Sequence, residues 1–335
     1  MEFDEKKDSV DLQKAIVRTV AYFDMFDFPM TDFEIWQLLG EKCNFIEVRN
    51  ILNLMSLRAE GEAISVSGIE PGLLRRSAPR NDSAVLETKN GFYFLKGRES
   101  IIRTRLDRYN FTDRKFKRAL RVVKIYRLIP WVKMVAVSNI IGAHNLKDES
   151  DIDIFIIAEK GKIWLTRFFC AGIAKILGLR PSEKNSRDKI CLNFYISEEE
   201  MNLKKFMLDD KDIYFVYWLA NLITIYDKDG AYKKFIQANG WLKNYLPNWQ
   251  EAKMVSRRTV KKSGKLFFYF LFNFIFGSLE GMFKKIQLRM LPLKIKELIN
   301  KDTRVVINDK VLKLHVNDRR EEYRKNYELR AKNYE

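Results

Sequence analysis

Two aspartates, Asp151 and Asp153, stand one residue apart in the segment KDESDIDIFII, directly before an apolar run. Side chains two residues apart in an extended strand project from the same face, so the two carboxylates are expected to lie side by side. Carboxylates this close repel each other unless a cation lies between them. Mg²⁺ suits such a pair, because it takes one or two carboxylates and fills its shell with water and substrate phosphates. A solvent-exposed strand edge with two unliganded acids is the alternative interpretation.

The surrounding residues predict an α/β unit that would hold the two aspartates at the end of a strand. The apolar, β-branched segment WVKMVAVSN indicates one strand, DIDIFIIAE a second and KICLNFYIS a third. The segment EKGKIWLTRFFCAGIAKILGL is expected to form the helix that connects the second strand to the third. Between the first two strands, IIGAHNLKDES predicts a loop or a short helix.

A strand, a turn and then an Asp–hydrophobic–Asp–hydrophobic strand resemble the nucleotidyltransferase superfamily related to DNA polymerase beta. In that family a hydrophobic-Gly-Ser motif precedes the two aspartates, and here ten residues separate Ile140 from Asp151, which fits the spacing. The resemblance covers roughly residues 130–240 and includes the segment YDKDGAYKKFI, from Tyr226 to Ile236. More specifically, the chain looks like an uncharacterised prokaryotic group of nucleotidyltransferase-domain proteins, and the Asp–hydrophobic–Asp strand is the strong part of the resemblance.

The resemblance implies an α+β fold with a nucleotidyltransferase-like mixed sheet. It also implies a Mg²⁺-dependent enzyme that moves a nucleoside monophosphate from a nucleoside triphosphate, ATP before others, to a nucleic-acid, protein or other acceptor. Asp151 and Asp153 would be catalytic metal ligands, and Asn193 would stand at the position of a third ligand. The residues expected to contact the nucleotide are Asn139, Ile140 and Ser150.

This sequence departs from the family pattern at two places. The Gly-Ser pair falls on Asn139 and Ile140, and the third family carboxylate falls on Asn193. Asp188 and Glu198 flank the strand that carries Asn193 and would replace it only in a different register. An alternative function therefore stays open, namely a catalytically inactive nucleotide- or nucleic-acid-binding protein with a scaffold or regulatory role.

The first 97 residues predict three helices and a β-hairpin. Apolar residues recur at helical spacing through residues 10–55, with Thr31 or Asp32 as a cap of the second helix and Gly40 as its end. The segment AVLETKNGFYFLKG predicts a hairpin that turns at Asn90-Gly91. Three helices followed by a hairpin resemble the winged-helix plan, which serves either DNA binding or protein docking.

The formal charge of +17 favours anionic partners, which are nucleic acid, nucleotides or a membrane surface. Residues 98–130 predict a basic helical connector whose charged face is either solvated or turned to phosphates. Three scattered cysteines match neither a disulfide framework nor a zinc cluster, and two histidines argue against a histidine-based metal cage. The charged N-terminus has no apolar h-region, so we expect a cytoplasmic protein without a secretory signal.

Residues 131–250 are assigned to the nucleotidyltransferase-like core and residues 251–335 to a helical C-terminal region with a basic tail. The run KLFFYFLFNFIFGSLEGMFKK within it has basic residues on both sides. Three interpretations are open: a helix buried on the core, a peripheral helix on anionic lipid through residues 266–283, or a membrane span. The sequence indicates no obligatory partner.

Overall fold

The computed structural model describes residues 2–60, 85–138, 145–182, 185–251, 256–261 and 266–332. The chain forms two compact units. The first unit is built from Met1–Arg105, Lys243–Gln250 and Lys325–Glu335, and the second from Leu106–Leu242 and Glu251–Arg324. The class is α+β, as the sequence predicts, and no helix in the described residues is long and apolar enough to cross a membrane.

The first unit contains three helices followed by a hairpin. Their bounds are α1 Glu2–Asp24, α2 Asp32–Gln37, α3 Phe45–Glu60, β1 Leu86–Lys89 and β2 Phe92–Leu95. The predicted cap is confirmed: Thr31 accepts a hydrogen bond from the Glu34 amide, and the Glu34 carboxylate accepts one from the Thr31 amide. Helix α2 ends at Gln37, before Gly40. The predicted hairpin is also confirmed, since Asn90 and Gly91 take φ angles of 54° and 77° between paired Lys89 and Phe92.

The second unit is organised around a six-stranded mixed sheet in the order β6-β3-β4-β5-β8-β7. The strand bounds are β3 Val132–Val137, β4 Ile152–Ala158, β5 Ile190–Ser197, β6 Ile223–Asp227, β7 Val305–Ile307 and β8 Val311–Leu314. Strands β4 and β5 are parallel, and every other neighbouring pair is antiparallel. The first three strands, β3, β4 and β5, coincide with the three strands predicted for the core.

Helices connect these strands and cover both faces of the sheet. Their bounds are α4 Ser100–Tyr126, α5 Ile163–Ile176, α6 Ile213–Ala220, α7 Ala231–Ala238, α8 Leu266–Phe276, α9 Glu280–Arg289, α10 Leu293–Leu298 and α11 Arg320–Lys332. Short 3₁₀ turns span Lys204–Phe206, Gly240–Asn244 and Ser256–Arg258. Ile152, Ile154 and Ile156 of β4 face the buried side of α4 and α5. On the opposite face, Phe155 contacts Trp218 of α6 and Phe235 of α7.

The C-terminal region differs from the purely helical expectation, because it supplies β7 and β8 to the sheet. The turn between them is held by Asn308, whose side-chain oxygen accepts hydrogen bonds from the amides of Lys310 and Val311 at 2.8 and 2.9 Å. The β-branched runs VVI and VL on either side of NDK are short, and they lie between charged segments. Because these runs are so short, the sequence of this region shows no clear strand pattern, and the helical spacing of its other apolar residues led to the helical prediction.

Helix α5 ends in a Schellman motif that sets the start of β5. Gly178 adopts a φ of 64°, and its amide donates to the Lys175 carbonyl at 3.0 Å. The Leu179 amide donates to the Ala174 carbonyl at 2.8 Å, which completes the motif. The carbonyl of Leu179 in turn accepts from the Ile190 amide at 2.7 Å. The helix end therefore fixes the backbone immediately before Cys191.

Candidate functional site

Asp151, Asp153 and Cys191 form a group whose possible ligand atoms all lie within 4.8 Å of one another. Asp151 directly precedes β4 and Asp153 is its second residue, as the sequence spacing predicts. Cys191 is the Cα partner of Asp153 across the parallel β4–β5 pair. Because parallel strands start at the same edge of a sheet, the first residues of β4 and β5 bring these side chains together.

Burial and mutual repulsion disfavour negative charge within this group. Burial raises the pKa of Asp153 to about 7, and the neighbouring Asp151 charge adds to the effect. Burial also raises the pKa of Asp151. The pKa of the Cys191 thiol is raised by burial and, in addition, by the negative charges of Asp153 and Asp151. Such a group is stabilised either by a retained proton or by a bound cation.

Asn193 lies half-buried in β5 beside an irregularity of the β4–β5 pairing. Asp153 pairs with Cys191, but Phe155, two residues later, pairs with Phe194, three residues later. The additional residue in β5 is a bulge, which breaks the alternation on which the prediction for Asn193 rested. Cys191 is thus the β5 residue grouped with the two aspartates among the described His, Cys, Asp and Glu side chains.

The two other acids near β5 are engaged elsewhere. Asp188 accepts hydrogen bonds from Lys115 at 2.8 Å and from Arg114 at 2.9 Å. Burial alone would raise the pKa of Asp188, but these two hydrogen bonds outweigh it and hold that pKa below its usual range. Glu198 follows the other end of β5, where its carboxylate accepts from the Lys160 amide at 3.2 Å. Neither residue belongs to the group around Asp153.

A buried lysine of α4 anchors the loop that carries Asp151. Lys115 is fully buried, and its ammonium group donates to the Asp148 carbonyl at 3.0 Å and also to the Ser150 carbonyl. With Asp188, these acceptors satisfy all three N–H donors of the ammonium group. The Ile152 amide donates to the Lys189 carbonyl at 2.7 Å, so the strand start is fixed from both sides. Lys115 therefore positions the backbone from which Asp151 projects.

Asp153 also lines a pocket of about 190 Å³ on the face of the sheet opposite α5. One wall is aromatic: Trp218 stacks on Phe194 and on Phe215, with ring centroids 5.7 and 5.3 Å apart. Tyr214 and Tyr323 stack at 5.0 Å in the same lining. Flat rings beside a carboxylate pair are suited to a planar ligand that also carries charge.

Basic residues from the C-terminal strand and helix complete the pocket. Burial, together with the Arg320 charge, lowers the pKa of Lys313 to about 8. Arg320 is buried and donates to the carboxylates of Asp212 and Asp318, each at 2.7 Å. Burial and the Lys313 charge lower the pKa of His315 to about 3, so this imidazole is neutral near pH 7. The lining thus combines Asp153 of β4 with a C-terminal group in which the cation Arg320 is paired with the acid Asp318.

The predicted nucleotide contacts fall partly outside this region. Asn139 and Ile140 lie outside the described residues. Ser150 is half-buried, and its hydroxyl donates to the Lys147 carbonyl at 2.9 Å, closing a turn. Sequence reasoning missed Ser138, a buried residue after β3 that lines the pocket and whose amide donates to the Asp153 carbonyl at 2.9 Å. The sequence signal that could have identified Ser138 is its position immediately before Asn139, which was itself a predicted nucleotide contact.

Chemically, the site can hold a cation between carboxylates beside a polar and aromatic pocket. Among the described His, Cys, Asp and Glu side chains, this group offers two carboxylates and one sulfur donor. Mg²⁺ uses the oxygens, whereas a softer metal also uses the sulfur. Comparison of the chain with family models, with curated proteins and with solved structures finds no match in any of the three.

Proposed function

We propose that the protein is a Mg²⁺-dependent nucleotidyltransferase that moves a nucleoside monophosphate from a nucleoside triphosphate to an acceptor. ATP is the nucleoside triphosphate that we propose first. The observation that carries this proposal is the close grouping of Asp151 with Asp153, together with the position of Asp153 in the pocket lining. Their strand follows β3 and pairs with it in antiparallel fashion. The resemblance to the superfamily related to DNA polymerase beta, stated above from the sequence, supports the same function.

The residues present fit a divalent cation. Burial raises the pKa of both Asp151 and Asp153, and the Asp151 charge raises that of Asp153 further; a bound cation would offset these penalties on the charged forms. Asp151 and Asp153 would hold Mg²⁺, with Asn193 proposed as a neutral oxygen donor from β5. When bound, Mg²⁺ supplies charge neutralisation for the triphosphate and its leaving group.

The pocket supports a nucleotide because it offers one surface for a base and another for phosphates. The pocket lining includes the rings of Phe194, Tyr214, Phe215, Trp218 and Tyr323, and such an aromatic wall is suited to contact a base. Lys313 and Arg319 lie in the same lining and would supply positive charge for a polyphosphate. An acceptor hydroxyl attacks the α-phosphorus in line, a new P–O bond forms, and the bond to pyrophosphate breaks. The acceptor hydroxyl gives up its proton to a base.

Calorimetric titration of ATP in the presence of Mg²⁺ tests this proposal. The double variant Asp151→Asn with Asp153→Asn should lose the heat of metal–nucleotide binding, and transferase turnover should fall about a hundredfold or more, as for other removed electrostatic stabilisers. Glu149→Gln is the matched control, because Glu149 lies in the same loop and its side chain is 81% exposed. Equal binding by wild type and the double variant would refute the metal site.

A second candidate function is supported by the exposed face of α4. Five basic residues recur there at helical spacing: Arg114, Lys117, Arg118, Arg121 and Lys124. Arg258 stacks on the Phe116 ring, 4.8 Å from its centroid, and adds charge beside this face. We propose as the alternative that the protein is a catalytically inactive nucleotide- or nucleic-acid-binding scaffold. The winged-helix-like order of α1, α2, α3 and the hairpin would then serve docking or DNA binding.

Two assays separate the alternatives. A scaffold binds labelled RNA or DNA with an affinity that falls steeply as salt rises, and it releases no pyrophosphate from any nucleoside triphosphate. An enzyme releases pyrophosphate in a reaction that depends on Asp151 and Asp153. A salt-independent gel shift would exclude binding to the phosphate backbone. Pyrophosphate release by wild type, but not by the Asp151/Asp153 double variant, would exclude the inactive scaffold.

A further inference from the structure

Helix α8 is apolar on both of its faces, but only one face is buried. Ten of its eleven residues, LFFYFLFNFIF, are aromatic or aliphatic. The inner side places Phe272 and Phe276 against Phe169 of α5, with ring centroids 5.7 and 5.2 Å apart. The outer side exposes Phe270 and Phe274, which are 62% and 87% accessible to solvent. Leu271 and Ile275 on this outer side are also exposed.

Helix α9 repeats this arrangement. Its inner side places Phe283 against Phe168 of α5, with centroids 4.4 Å apart, while Gln287 donates to the Trp164 carbonyl at 2.8 Å. Its outer side exposes Met282, Ile286 and Met290, and Leu293 follows at the start of α10 with 74% exposure. Both helices contact α5. The exposed apolar residues of these neighbouring segments are here named the α8–α10 face: Phe270, Leu271, Phe274, Ile275, Met282, Ile286, Met290 and Leu293.

Cations surround the α8–α10 face. Residues 257–297 contain ten Lys or Arg residues and two Glu residues. Lys285 and Arg289 are exposed on α9, and Lys294 and Lys296 are exposed on α10. One of the two acids, Glu280, turns inward and accepts hydrogen bonds from the amides of Trp164 and Leu165 at 2.7 and 3.0 Å. The outward charge of this region is therefore strongly positive.

We propose that the α8–α10 face binds the surface of an anionic membrane. Phe, Leu, Ile and Met side chains of a helix lying in the interface enter the boundary between head groups and acyl chains, and flanking Lys and Arg bind anionic lipid head groups. Helix α8 has eleven residues, fewer than the roughly 20 that a membrane span requires, so it lies along the surface.

Charge favours lipid over a second copy of the chain as the occupant of this face. In a symmetric dimer the same patch meets itself, so the cations around one face would oppose those around the other. Anionic head groups instead neutralise them. The face also lies on the α5 side of the sheet, whereas the pocket at Asp153 lies on the opposite side. Membrane binding thus leaves the pocket open and does not depend on the proposed enzymatic function.

Vesicle co-sedimentation tests the proposal on the full chain. Wild type should sediment with vesicles of three parts phosphatidylcholine to one part phosphatidylserine, and added salt should weaken the binding. Phe270→Gln with Phe274→Gln should lower the partition coefficient at least about tenfold, because both apolar anchors become polar. Ile46→Gln with Leu329→Gln is the matched control, since it also removes two exposed apolar side chains, 69% and 65% accessible.

A second measurement reports insertion without removing the apolar face. In Phe274→Trp, the added indole fluorescence should shift to shorter wavelength with anionic vesicles, and nitroxide groups on the acyl chains should quench it. Equal sedimentation of wild type with and without vesicles would overturn the proposal, as would equal binding by the Phe270/Phe274 variant. A dimer in analytical ultracentrifugation that this variant abolishes, without vesicle binding by wild type, would assign the face to a second copy.

Discussion

Cys191 stands directly opposite Asp153 in the parallel β4–β5 pair. This places a soft sulfur donor beside two hard oxygen donors in a group whose ligand atoms lie within 4.8 Å of one another. Metals that bind thiolates displace the thiol proton, whereas Mg²⁺ prefers oxygen and leaves the thiol protonated. We therefore predict that the site also binds softer metals, which would use the Cys191 sulfur in addition to the carboxylates.

We expect Cys191→Ser to weaken Zn²⁺ or Cd²⁺ binding by at least about tenfold while leaving Mn²⁺ binding within about threefold, since only the softer metals use sulfur. Calorimetry with each metal measures both affinities. A cobalt titration adds a spectroscopic readout, because thiolate coordination gives an intense near-ultraviolet band. Cys43→Ser is the control, as Cys43 lies in the other unit. Unchanged Cd²⁺ affinity in Cys191→Ser would refute sulfur coordination.

Asp153→Asn should stabilise the metal-free protein at pH 8 and remove stabilisation by Mn²⁺. The pKa of Asp153 rises on folding from an ordinary 3.8 to about 7, so its stabilising contribution is complete below pH 3.8 and is lost as pH rises through 7. At about 1.4 kcal/mol per pKa unit, we expect a gain of at least ~1 kcal/mol at pH 8.

Thermal unfolding at pH 8 and pH 5, with and without Mn²⁺, measures this prediction. The gain should shrink at pH 5, where the wild-type carboxyl group already holds most of its proton. Glu149→Gln should behave as wild type at both pH values, because its side chain is 81% exposed. A lower melting temperature of Asp153→Asn at pH 8 without metal would contradict the account of the burial penalty.

Lys115→Met should both destabilise the second unit and weaken metal binding. The substitution leaves the Asp188 carboxylate without its buried partner and frees the carbonyls of Asp148 and Ser150. Breaking a buried ion pair typically costs about 3 to 5 kcal/mol. Denaturant unfolding gives the stability, and Mn²⁺ titration below the unfolding transition gives the affinity.

The matched control for Lys115 is Lys117→Met on the same helix. Lys117 is 67% exposed and pairs with Asp113 one turn earlier, so its loss should change stability little. If Lys115→Met loses as little stability as Lys117→Met, then Lys115 contributes no more than an ordinary surface charge. If Lys115→Met loses stability but binds Mn²⁺ as wild type does, then the loop before Asp151 does not depend on this anchor.

Two glycine-to-alanine substitutions, one within α5 and one directly after it, should change the free energy of unfolding in opposite directions. Gly172 lies within the helix with open space around its missing Cβ, so Gly172→Ala should stabilise by roughly 0.5 to 1 kcal/mol. Gly178 holds a φ of 64° in the Schellman motif, so Gly178→Ala should cost about 1 to 2 kcal/mol. Chemical denaturation measures both, and equal effects would argue against the left-handed conformation at Gly178.

Local patterns in the sequence were enough for the elements that carry the aspartates. Apolar runs predicted β3, β4 and β5, the two-residue spacing predicted that Asp151 and Asp153 would be neighbours, and Asn90-Gly91 predicted the hairpin. Each of these follows from residues close together in the chain. Cys191 was not predicted as their neighbour, because the pairing of parallel strands depends on the length and ending of α5. Lys115 was one of several cations in a basic segment, and only the rotation of α4 distinguishes it.

The strand order also has a consequence for the newly made chain as it leaves the ribosome. β5 pairs with β4 on one side and with β8 on the other, although Phe194 and its partner Lys313 are roughly 120 residues apart in sequence. Until β8 is synthesised, the outer edge of β5 has no partner, and that unpaired edge is available to other extended chains. The pocket that Lys313 and His315 help to line is therefore incomplete until this part of the chain is synthesised, and we expect a chain stopped before residue 311 to aggregate.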